Sequence, residues 1–183
     1  MVGRVTGRRE LLPLLAGGDR RSTGRSAEVV AAVIENPALF ADLFAGLTDA
    51  DRVVRMRAAD AVEKITREKP GLLQPWKTQL LREIAGLEDK EMRWHVVQMI
   101  PRLALAHHEQ QTAVRTLMGY LSDTSSIVRT CSMQALADLA DSYPPLRRQV
   151  GPLIEQLTKS GTPAMRSRGR KLLRRAALRQ RRE

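Results

Sequence analysis

The sequence predicts an all-α chain, a solenoid of about five helix pairs, and three observations carry that prediction. The first is composition: of 183 residues, 43% are hydrophobic, 28% charged and only 3% aromatic, and the commonest types include Ala, Leu, Arg and Glu, all good helix formers. The second is that glycine and proline fall mostly between apolar segments, where they punctuate helices. The third is an internal repeat. An apolar residue followed by arginine recurs as Val54-Arg55, Met92-Arg93, Val128-Arg129 and Met165-Arg166, at intervals of 38, 36 and 37 residues.

Each of these pairs opens an amphipathic helix. Val54 is followed by Ala58, Ala61, Val62 and Ile65, and Met92 by Val96, Met99, Ile100 and Leu103. Val128 leads to Ser132, Ala135, Leu136 and Leu139, and Met165 to Gly169, Leu172, Leu173 and Ala176. Offsets of 0, +4, +7, +8 and +11 lie on one face of a helix. A shorter unit precedes them: Asp19 and Arg25 keep the six-residue offset of Asp49 to Arg55 and Asp123 to Arg129, with Val29, Ala32 and Val33 behind. Its drifting hydrophobic phase suits a terminal repeat that caps a stack.

A first helix is expected before each of these, over 10–16, 38–47, 75–87, about 109–121 and 147–159. Thr48-Asp49 and Ser122-Asp123 are N-cap types, while Asn36-Pro37, Pro70-Gly71 and Pro144-Pro145 stop the preceding helix. Pro101 should kink a helix running over 95–105. Trp76 is expected to pack between repeats, and Trp94 to sit at the edge of the core stripe. The units are about 8–36, 37–70, 71–106, 107–143 and 144–180, in one domain over 1–183, with the basic ends 1–9 and 179–183 candidates for disorder. A pair of such helices cannot bury its own apolar faces, so it must stack on its neighbours.

The pattern Leu-x-Asp…Val-Arg-x-x-Ala-x-x-Ala-Leu at this period resembles the HEAT-repeat family, in a short bacterial-type form. Leu47-Thr48-Asp49 with Val54-Arg55, and Leu121-Ser122-Asp123 with Val128-Arg129, carry the likeness, which spans about residues 8–178. The third unit departs from it with a turn two residues shorter, leaving Asp89 or Glu91 as its acid; the fifth has Arg166 but no acid near Thr162. The resemblance implies a structural ladder in which each Asp meets the Arg of its own or the adjacent repeat: Asp19, Arg25, Asp49, Arg55, Arg93, Asp123, Arg129 and Arg166. It also implies a right-handed superhelix whose second helices line a concave surface. Their positions +3, +6 and +10 then form a polar stripe for a partner: Arg57, Asp60 and Lys64; His95, Gln98 and Arg102; Cys131, Gln134 and Asp138; Arg168, Lys171 and Arg175.

The net charge of +11 is unevenly distributed. Residues 1–25 carry +4 and residues 161–183 carry +8, whereas 26–160 balance to −1. The stretch 166–182 is a basic amphipathic helix, suited to an acidic partner. A stripe of mixed sign favours a polypeptide partner over a phosphate chain, so the expected function is a non-enzymatic protein-interaction scaffold. Nucleic-acid binding through the basic ends is the alternative. HEAT-like DNA glycosylases are a distant third, because neither Asp60 nor Asp138 has aromatics clustered beside it.

Other classes lack their signatures. No apolar run approaches the ~18–20 residues that cross a bilayer, and the first residues lack a secretory signal. The single cysteine, Cys131, cannot form an internal disulfide and points to a reducing, cytoplasmic setting. His95, His107 and His108 do not stand at metal-ligand spacing. No phosphate loop, nucleophile elbow or metal-helix motif is present. No cofactor, metal, catalytic residue, membrane or small-molecule substrate is therefore expected.

Overall fold

The computed structural model of the protein describes residues 8–18 and 22–181. The packing falls into two compact units, Met1–Ala104 and Leu105–Glu183. The division falls beside Pro101. The helix expected over 95–105 ends at Met99, tightens into a 3-10 turn over Ile100–Arg102, and gives way to irregular chain. Proline removes a backbone donor and crowds the preceding turn, so the helix terminates instead of kinking.

The first unit holds α1 (Arg8–Leu11), α2 (Ser26–Glu35), α3 (Phe40–Ala45), α4 (Arg52–Glu68), α5 (Lys77–Arg82) and α6 (Lys90–Met99). The second holds α7 (His107–Tyr120), α8 (Ser126–Ser142), α9 (Arg147–Ser160) and α10 (Pro163–Gln180). No strand occurs among the described residues. The first helices of the first unit are short and flanked by 3-10 turns, several of which contain proline: Pro13, Pro37, Pro70 and Pro75. A proline at the start of a turn loses no bond, because its N–H would be unsatisfied there anyway. Helices α2, α4 and α8 each end two residues before a proline, Pro37, Pro70 and Pro144, as expected of residues that precede proline.

In the first unit α4 packs against α2 and α6. Its stripe of Val54, Ala58, Ala61, Val62 and Ile65 is buried, as is the matching stripe Met92, Val96, Met99, Ile100 and Leu103. Phe44 of α3 stacks on Trp76 with ring centroids 4.8 Å apart, so Trp76 packs between repeats. In the second unit α8 contacts α7, α9 and α10, burying Val128, Ser132, Ala135, Leu136 and Leu139. The pattern weakens in α10. Met165, Gly169 and Leu172 are buried, but Leu173 is half-buried and Ala176 exposed.

The caps stand two residues later than the sequence suggests. Asp51 accepts from Val53 N–H to cap α4, and Ser125 accepts from Val128 N–H to cap α8. Asp49 and Asp123 instead bond the N–H of Asp51 and Ser125, closing Asx turns just ahead of the caps. In the shorter third turn Asp89 itself caps α6, accepting from Glu91 and Met92 N–H.

Candidate functional site

The polar stripe of the first unit faces neighbouring repeats more than solvent. Arg57, expected on the exposed side, is only 2% exposed. Its guanidinium donates to the carbonyls of Leu15 (2.8 Å), Gly17 (2.7 Å) and Ser22 (3.1 Å), clasping the segment before α2. Gly24, at φ +53°, lies against this guanidinium; a Cβ there would stand 2.7 Å from Arg57 Nη1. Arg102 is likewise committed. It donates to the Glu63 carbonyl (2.7 Å), to Thr66 Oγ1 (2.9 Å) and to the Glu63 carboxylate. The assignment of Arg57 to an open partner surface is corrected, and Arg102, though partly exposed, is committed to the adjacent repeat, which a long side chain at the edge of a helix can reach.

Asp60 accepts from Ser26 Oγ at 2.9 Å and from Lys64 Nζ at 2.7 Å. His95 is also buried, at 6% exposure, with Nδ1 lacking a hydrogen-bond partner. Burial pushes its pKa below the ordinary value, against the opposing pull of the Asp60 and Glu63 carboxylates. Exposed Trp94 stacks on the imidazole at 4.9 Å. Gln98 bonds within its own helix, to the carbonyl of Trp94. Of this stripe, Lys64 and Gln98 keep the most contact with solvent, alongside Trp94.

The arginines of the repeats meet both turn carbonyls and carboxylates. Arg55 Nη1 donates to the Asp49 carbonyl at 2.6 Å and the Ala50 carbonyl at 3.0 Å, and Nη2 reaches the Asp89 carboxylate of the next repeat at 4.0 Å. Arg93 Nε makes the equivalent bond, six residues back, to the Leu87 carbonyl. Arg55 and Arg93 thus share a bond to a turn carbonyl six residues back, while the Asp49 and Asp89 carboxylates also close an Asx turn and a cap. Asp89 also pairs with Arg52 at 3.1 Å. Burial would raise the Asp89 pKa, but bonding around Glu91, the Arg52 charge and two backbone N–H groups together hold it below the usual carboxylate range. Arg25, just ahead of α2, bonds Glu28 in that helix's first turn, and Asp19 lies outside the described residues. Arg129 has its Nε buried without a partner, and Arg166 is exposed.

The second unit repeats the cross-repeat motif with weaker, wetter pairs. Arg175 bridges Asp138 (2.8 Å) and Asp141 (2.9 Å), Arg179 adds Asp141 at 3.1 Å, and Arg168 donates to Gln134 Oε1 at 3.0 Å. Cys131 is half-buried; burial raises its thiol pKa, opposed by the Arg168 charge. The sequence reading did not single out Glu63, Ser26, Asp141 or Arg179. Their signal is a complementary partner about one repeat away: 39 residues for Glu63–Arg102, 38 for Arg179–Asp141 and 34 for Ser26–Asp60.

Helix α10 carries seven basic residues and no acidic one, and the second unit has 14 Arg and Lys against 6 acids. Arg166, Arg168, Arg170, Lys171 and Arg174 are exposed. Among the described residues, no acid lies within ion-pair distance of Arg166, Arg170, Lys171 or Arg174. No group of three or more His, Cys, Asp or Glu among the described residues could hold a metal. No helix among the described residues is long and apolar enough to cross a membrane.

Neither a protein-family model nor a curated protein matches the sequence. Solved structures do match in fold. The crystal structure of an engineered protein aligns with a TM-score of 0.61 at 17% identity, over 91% of this chain and 78% of that one. A designed armadillo repeat protein aligns at 0.57 and 20% identity, over 90% of this chain and 80% of that one. Computationally designed armadillo repeat proteins for modular peptide recognition give the same TM-score, identity and coverage. The chain has an all-α repeat-solenoid fold.

Proposed function

We propose that this protein is a HEAT-type, non-enzymatic interaction scaffold whose docking surface is the outer basic face of α10. One observation carries the reading. The polar stripe elsewhere is largely engaged in bonds between repeats, whereas Arg166, Arg170, Lys171 and Arg174 stand exposed and, among the described residues, without acidic partners. Cations left in water are available to a partner that supplies carboxylates, and Arg forks bind those bidentately. Similar folds designed for peptide recognition support a polypeptide as the class of partner. A cytoplasmic setting rests on the lone, half-buried Cys131.

Phosphate-backbone binding is the second reading, favoured by the same cations. The two separate on salt dependence. Fluorescent polyglutamate and random-sequence duplex DNA would be titrated with the intact chain and with the Arg170→Glu/Arg174→Glu variant, from low salt to ~150 mM, where long-range attraction is largely screened. Polyglutamate should bind more tightly than DNA at ~150 mM salt, and the variant should lose it. DNA binding that exceeds polyglutamate binding there would replace the scaffold reading with the nucleic-acid one.

A further inference from the structure

A cleft of about 530 Å³ opens between α8, α9 and α10. Its apolar wall includes Ala137, Ala140, Val150, Ile154, Leu172 and Ala176. The cause is visible in the residue sizes. Where three helices converge, three of these six positions carry only a methyl group and Gly151 carries nothing, so the helices meet without filling the space between them. Protein interiors ordinarily close such space, and apolar concavities of this size are the usual form of a binding pocket.

The rim is charged. Lys159, Arg175 and Arg179 line the cleft together with Asp141 and Glu155. Arg175 and Arg179 also border a second depression on the same helix, which is completed by Lys171, Arg174 and Leu178. Leu178 is 59% exposed. An apolar cavity thus adjoins, across one row of arginines, the part of α10 whose cations have no acidic partner among the described residues.

We infer that this cleft takes the apolar side chain of an acidic segment of a partner protein, whose carboxylates lie on Lys171 and Arg174. The inference rests on the scaffold reading and names the partner's chemistry. From Lys171 to Arg179 the cationic face extends about 12 Å along the helix, further than one carboxylate headgroup can serve. A nucleic-acid strand would match the charges but offers no aliphatic group for the cleft. An acidic peptide with an apolar anchor satisfies both, the anchor giving affinity by desolvation and the carboxylates giving register.

The test is fluorescence anisotropy on the intact chain at ~150 mM salt. The probe is a labelled Asp/Glu-rich peptide with two central leucines, compared with the same peptide bearing serines there, and with dodecanoate as competitor. The leucine peptide should bind about tenfold or more tightly than the serine peptide. Ala176→Leu, at an exposed helical position that tolerates leucine, should remove that advantage and leave the serine peptide unaffected. Ala137→Leu, from the opposite wall, should do the same, and both variants should unfold at the wild-type temperature. Lys171→Glu with Arg174→Glu should weaken both peptides. Equal affinities for the two peptides, or a leucine advantage that survives both fillers, overturns the cleft assignment and leaves docking on α10 intact. Binding of neither peptide overturns both. Dodecanoate binding in the cleft without leucine-peptide binding replaces the peptide by a fatty acid.

Discussion

Arg102 and Glu63 are joined twice, the guanidinium donating both to the Glu63 carbonyl and to its carboxylate across 39 residues of chain. Glu63 is 3% exposed, and its other carboxylate oxygen accepts from Arg67 at 2.6 Å. This knot ties α4 to the turn that follows α6.

Breaking it from one side should be costly. Arg102→Ala should lower the unfolding free energy by about 3 kcal/mol, because it leaves Glu63 buried with a single cation on its exposed side. Arg102→Lys should recover only part of this, since an ammonium cannot reproduce the fork. Glu63→Met combined with Arg102→Met should cost less than Arg102→Ala alone. Urea denaturation of the three variants measures this, and a loss below ~0.5 kcal/mol for Arg102→Ala would show the contact to be unimportant.

Asp49 tests whether the repeat carboxylates act as ions or as turn acceptors. Asn keeps the oxygen that accepts from Asp51 N–H, so Asp49→Asn should change stability by less than ~0.5 kcal/mol, whereas Asp49→Ala should cost about 1 kcal/mol. Arg55→Ala should cost about 1–2 kcal/mol whichever residue stands at 49, because its bonds go to the carbonyls of Asp49 and Ala50. Thermal unfolding of the single and double variants decides; a large loss in Asp49→Asn would restore the ion-pair ladder.

His95 should make stability depend on pH just below neutrality. Its pKa is held below the ordinary 6.5 by burial, so the unfolded chain takes the proton first as pH falls. Stability is therefore fully present above about 6.5 and falls below it, by roughly 1 kcal/mol per pH unit while the folded imidazole stays neutral. His95→Phe removes this titration, and its unfolding temperature should fall less than that of the wild type between pH 7 and pH 5.5.

Two helical glycines should respond to alanine with opposite signs. A Cβ on Gly169 would lie 1.9 Å from Thr158 Oγ1 and 2.7 Å from Met133 Cε, while one on Gly119 would touch nothing within 4 Å. Thr158 is also held by its bond to the Ile154 carbonyl. Gly169→Ala should cost about 2 kcal/mol, overpacking outweighing the helix-propensity gain, and Gly119→Ala should stabilise by about 0.5–1 kcal/mol. Calorimetry on both variants reads the difference.

Much of this protein was open to reading in one dimension. The spacing Val54, Ala58, Ala61, Val62, Ile65 and its copies specify buried helix faces, because 3.6-residue periodicity is local geometry, and Pro37, Pro70 and Pro144 mark helix ends through their own sterics. That the faces recur near every 37 residues requires stacking, since one pair cannot bury them. What lies beyond one helix turn was decided elsewhere. Position +3 looks outward on a helical wheel whether or not another repeat covers it, so nothing local to Arg57 says that its guanidinium clasps the carbonyls of Leu15, Gly17 and Ser22. The same holds for Arg102 on Glu63 and for His95 in its burial. Tertiary structure alone selects, among many residues roughly one period away, the partner that removes a side chain from water, and so it also determines which cations of α10 are left exposed.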